Sequence, residues 1–159
     1  MRAWLCAALA LCLAACASPA FEQPGASRTA VLDKLGPPAV RMALPDGGER
    51  LLYTTQPAGR QVYHMDFDAA GRLVRTEQVL TFTRLAGLPA GTSRDEVHRT
   101  FGPPMLVEHV ASFDGDIWTY RFRDDLGTRR QGHVHITPQG QVAKVMFTDD
   151  PDRADFFRF

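Results

Sequence analysis

Two periodicities alternate along this chain. Val31 and Leu35 stand four residues apart, as do Val97 and Phe101, so each pair shares one face of a helix. After each pair the period drops to two. Met65 and Phe67 alternate with His64 and Asp66. Trp118, Tyr120 and Phe122 alternate with Ile117, Thr119, Arg121 and Arg123, and Val134 and Ile136 with His133 and His135. Such alternation predicts strands with one buried face. Ser27 and Ser93 are placed as N-caps, whose hydroxyls accept first-turn amides, and Ser93 with Glu96 has the spacing of a capping box. Gly36-Pro37 and Gly102-Pro103 close the helices. Turns fall at Asp46-Gly47, Ala70-Gly71, Asp114-Gly115 and Gln139-Gly140. The predicted strands are 39–44, 49–55, 61–67, 72–83, 105–112, 116–123, 130–137 and 141–148.

The order of features repeats. Residues 27–38 align with 93–104 at an offset of 66, with six of twelve positions identical, including Gly-Pro-Pro. Further on, Tyr53 matches Tyr120, His64 matches His133 and Gly71 matches Gly140. The expected fold class is therefore α+β. It comprises two tandem units, each a helix on a four-stranded antiparallel sheet, at 27–83 and 93–149, joined by a linker at 84–92. Units of this size have marginal cores alone and are expected to dock. The expected arrangement is one continuous, curved eight-stranded sheet with the helices on one face; the alternative is two sheets joined only by the linker.

The N-terminus carries an address. Arg2 precedes an apolar run from Ala3 to Ala15, too short to span a bilayer as a helix, which takes about 20 residues. It ends in Leu13-Ala14-Ala15-Cys16, the pattern of a lipobox. Residues 1–15 are thus expected to be a lipoprotein signal peptide, with Cys16 the lipid attachment site and 16–26 a flexible tether. Cys6 and Cys12 fall in the removed segment and acylation consumes Cys16, so neither a disulfide framework nor a cysteine zinc site is expected. Charge excludes another class: 18 basic against 18 acidic side chains leave no basic excess for nucleic acid.

The lipobox, the Ser-x-x-x-Val-x-x-x-hydrophobic-Gly-Pro-Pro pattern, the aromatic strand and the Gly140-Gln141-Val142 hairpin together resemble the SmpA/OmlA family of BamE-like lipoproteins. The second copy carries this best, through Thr92 to Val97, Phe101 to Pro104 and Trp118-Thr119-Tyr120. The resemblance implies a non-enzymatic protein, lipid-anchored in the outer membrane of a Gram-negative cell and facing the periplasm. Its implied partners are the membrane and the machinery that assembles outer-membrane β-barrels. Ala17, rather than Asp, after the cysteine is similar to the outer-membrane sorting pattern. Two tandem copies also resemble the β-lactamase-inhibitor-protein arrangement, which implies an alternative: a periplasmic binding or enzyme-inhibitor module gripping its target with a concave double sheet.

Candidate chemistry is sparse. His109, Ser112 and Asp114 supply the letters of a catalytic triad, but 109 and 112 point to opposite sides of a strand and no oxyanion motif surrounds them. His133 and His135 share a strand face, with His64 the counterpart of His133; no third metal ligand is fixed by spacing, so no metal or other cofactor is expected. The candidate partner surface is His64, Arg121, Arg123, His133 and His135, with Phe157 and Phe159 of the aromatic tail at 150–159. That tail is expected to fold back on apolar surface or to dock on a partner.

Overall fold

The computed structural model describes residues 17–151. The expected signal segment, Cys16 and the tail aromatics Phe156, Phe157 and Phe159 lie outside the described residues. After a 3-10 turn at Pro19–Phe21, helix α1 (Arg28–Leu35) leads into strands β1 (Val40–Ala43), β2 (Glu49–Thr54), β3 (Val62–Phe67) and β4 (Leu73–Gln78). Helices α2 (Phe82–Ala86) and α3 (Arg94–Phe101) follow. Strands β5 (Leu106–Val110), β6 (Phe113–Arg123), β7 (Arg129–Ile136) and β8 (Val142–Asp149) are the last of the described elements. The result is an α+β fold with two four-stranded antiparallel meanders, ordered β1-β2-β3-β4 and β5-β6-β7-β8.

Local chemistry sets the two long helices in the same way. Ser27 Oγ accepts from Ala30 N and Ser93 Oγ from Glu96 N, each at 3.2 Å. Their closing glycines have φ +77° and +71°, a backbone region that suits glycine. The segment before each helix is stitched to the last strand of its sheet. Leu73 N donates to Ala26 O and Val142 N to Thr92 O, and Gly25 and Gly91 return the bond. Residues 17–26, expected as a tether, are thus tied to the first sheet, and Lys34 pairs with Glu22.

The layers explain the core. Val31 of α1 packs with Leu51, Tyr53, Met65, Phe67 and Leu73 on one face of the first sheet. Leu52, Val62 and Val79 on its other face join a larger cluster with Val97 and Phe101 of α3, Leu85 of α2, and Trp118, Tyr120, Phe122, Val134 and Ile136 of the second sheet. The order through the molecule is α1, first sheet, α2 and α3, second sheet. Side chains such as Phe67 and Tyr120 are fully buried, each stabilising by roughly 1.5–3 kcal/mol.

Four expectations are corrected here. The eight strands do not form one continuous sheet, because the second unit docks on the face of the first sheet opposite α1; the concave double sheet is therefore not formed. Nor is the linker the only join, since that docking buries the larger of the two cores. Finally, the turn expected at Asp114-Gly115 lies at Ala111-Ser112, flanked by the Val110–Phe113 pair, and β6 runs straight through Gly115. A Cβ there would run into the backbone carbonyl of Ile136. The strand expected to reach residue 83 stops at Gln78, because Thr81 caps α2 by accepting from Arg84 N at 3.2 Å.

Candidate partner surface

The pleat of β6 sorts its side chains. Trp118, Tyr120 and Phe122 turn to α3, where Phe101 and Tyr120 ring centroids lie 5.8 Å apart and Tyr120 Oη donates to Gly102 O at 2.9 Å. Ile117, Thr119 and Arg121 turn the other way. Their cross-strand partners on β7 are His135, His133 and Gln131, and on β8 the row continues with Lys144, Met146 and Thr148. This outer face of the second sheet belongs to neither hydrophobic cluster.

The structure brings Arg121, His133 and His135 together on that face, as the alternation implies. The polar atoms of Arg121 and His133 are committed, whereas the buried Nδ1 of His135 has no hydrogen-bond partner among the described residues. His133 sits between two threonines, its Nδ1 2.9 Å from Thr119 Oγ1 and its Nε2 2.9 Å from Thr148 Oγ1. His135 is buried, edge-on to Phe113 at 4.9 Å. Burial pushes both imidazoles below the ordinary histidine value; the Lys144 charge adds to this at His135, while Glu108 opposes it at His133. Arg123 is exposed and donates to Gly127 O at 2.7 Å across its own hairpin.

His64 is not part of this surface. It is 5% exposed, on the first-sheet face that the second unit covers, and its Nε2 donates to Thr100 O at 2.8 Å in the last turn of α3. Burial, helped by the charge of Arg50, lowers its pKa, and the Thr100 bond only partly offsets this. The counterpart relation to His133 is one of sequence position; the two lie on different sheets. Among the described residues no group of three His, Cys, Asp or Glu side chains could hold a metal. Of the triad letters, His109 has its Nδ1 3.0 Å from an oxygen of Asp116.

Arg121 has a partner that pattern reading missed. The Asp150 carboxylate, wholly buried, receives Arg121 Nη2 at 2.8 Å, Arg60 Nε at 2.9 Å and Gln131 Nε2 at 3.1 Å. Gln56 Nε2 donates to Arg121 O at 2.7 Å. Arg60 and Gln56 belong to the β2–β3 loop, so this knot fastens the first unit to the second. Asp150 is the first residue of the tail at 150–159, just past the predicted strand 141–148, where no periodicity points to a partner.

The family-level comparison with known proteins falls on the second unit. Residues 77–152 match the family model described as the outer membrane protein assembly factor BamE domain. No curated protein matches the chain. A solved DUF4309 family protein, YjgB from Bacillus subtilis subsp. subtilis str. 168, is similar at 17% identity over 79% of each chain, with a TM-score of 0.31. The match covers the second unit together with the short helix that leads into it, so this part of the chain is similar to the BamE domain.

Proposed function

We propose that this chain is a lipid-anchored protein of the Gram-negative outer membrane, facing the periplasm, that supports β-barrel or envelope assembly by holding other proteins and not by catalysis. The observation that carries the reading is the BamE domain over residues 77–152. Leu13-Ala14-Ala15-Cys16 adds the anchor: two or three acyl chains, at about 0.8 kcal/mol per buried methylene, hold a protein at a membrane stably. The commitments of the polar side chains agree with a scaffold. Arg121 is spent on Asp150, and His133 on two threonines. The tandem architecture has a role in this reading: the first unit braces the domain that makes the contacts.

A deletion strain tests it. The expected result is lowered levels of outer-membrane barrel proteins and sensitivity to large antibiotics, restored by the wild-type gene and not by Cys16→Ser. Normal barrel levels and normal resistance in the deletion strain would contradict the assembly role. An intact mass showing an unmodified Cys16 would contradict the anchor.

A further inference from the structure

The two sheets finish their first edges differently. In the first sheet, β1 is four residues long, its Val40 and Met42 are packed against the inter-unit core, and its outward position holds Arg41, paired with Glu49. An edge charge of this kind blocks the addition of another strand. The last strands β4 and β8 are covered where they start by residues 25–27 and 91–93. Among the described residues no backbone segment bonds the free edge of strand β5, and its regular run sets the apolar Leu106 and Val107 beside a single charge, Glu108. Every residue of Leu106–Val110 is exposed, with Leu106 at 44%, Val107 at 50% and Val110 at 37%, while Trp118 and Thr119 on the adjoining strand are at 9% and 1%. Val107 stands where the first sheet has Arg41, at the same offset of 66.

We infer that β5 is a pairing edge that takes an extended segment of a client polypeptide as an additional strand, centred on Leu106–Glu108. An edge strand presents a row of unpaired amides and carbonyls, and main-chain bonds to an incoming strand satisfy them. The bulge between Glu108 and Val110 ends the regular run and so bounds the pairing. The side chains set the chemistry of the occupant. Leu106 and Val107 lie half-covered on opposite faces, so apolar residues on the incoming strand extend both faces. Glu108 makes no ion pair among the described residues, so a lysine or arginine opposite it completes the row. The occupant is thus an extended polypeptide segment with two successive apolar residues next to a cation. The inference rests on the assembly role above and names the chemistry of the client segment held at this edge.

The test uses the mature full-length protein and a labelled peptide in which two successive valines adjoin a lysine, flanked by threonines. Saturable binding is expected. It should weaken at least about tenfold with Val107→Lys, and equally when alternate peptide amides are N-methylated, which leaves the protein untouched. Val107→Thr should bind like wild type. Equal binding by the methylated peptide, or no binding by the wild type, overturns the inference. So does a dimer that Val107→Lys dissociates and the peptide does not, because the edge then serves a second copy. Failure of peptide binding alongside lowered barrel levels in the deletion strain discards the strand client and leaves the assembly role. Peptide binding with normal barrel levels discards the assembly role and leaves the edge.

Discussion

Arg121 Nη2 lies 2.8 Å from Asp150 Oδ1, and Arg60, from the other unit, bonds the same carboxylate. One buried acid therefore neutralises cations from both halves of the molecule. Asp150→Ala leaves two partly buried guanidiniums without their anion and should cost about 3–5 kcal/mol, read as a fall in the urea midpoint. Asp150→Asn, which keeps an acceptor, should cost less.

The same acid sets a pH dependence. Burial pushes the Asp150 carboxyl up, but the bonds from Arg121, Arg60 and Gln131 outweigh it and hold the group below the usual carboxylate range. Asp66, bonded by Arg50 and Arg75, is likewise lowered against its burial. A depressed acid contributes stability above its unfolded pKa of about 3.9, and that stability is lost as pH falls through the folded value. Urea unfolding at pH 5 and pH 3 should show the wild type losing more stability than Asp150→Asn.

A second window lies near neutrality. His64, His133 and His135 all titrate below the ordinary histidine value, burial being the first cause in each. The unfolded chain binds protons first as pH falls through about 6.5, so stability drops between roughly pH 7 and 5. His64→Gln, with no imidazole in the interface, should flatten part of that slope. An unchanged slope would show that His64 protonates freely in the folded protein.

Gly36 and Gly102 form a matched pair for weighing the interface. Both have φ near +70°, but a Cβ on Gly36 meets nothing within 4 Å, while one on Gly102 lies 2.8 Å from Leu52 Cδ2. Gly36→Ala should cost about 1–3 kcal/mol from backbone strain alone. Gly102→Ala should cost roughly 1–3 kcal/mol more, because Leu52 of the first sheet must move. Equal costs would mean that the two units are loosely joined.

Much of the architecture was legible in the residues. Ser27, Ser93, the Gly-Pro-Pro closures and the alternation through Trp118–Phe122 placed both long helices and all eight strands to within a few residues, α2 being missed. Period-two patterning reports that a face is buried and not what buries it. His64 alternates with Met65 as an outer face would, yet it is covered by α3. That coverage separates the sheets and removes His64 from the candidate surface. Asp150 and Arg60 meet across 90 residues of sequence, a pairing with no local signature. The exposed edge at Val107 became visible only beside Arg41, once both strands were known to be edges.

Partner identity tests the central claim most directly. Crosslinking the tagged protein in intact cells, purifying it from solubilised membranes and identifying its companions by mass spectrometry should recover components of the outer-membrane β-barrel assembly machinery. Recovery of a single soluble periplasmic enzyme, with none of that machinery, would contradict the account.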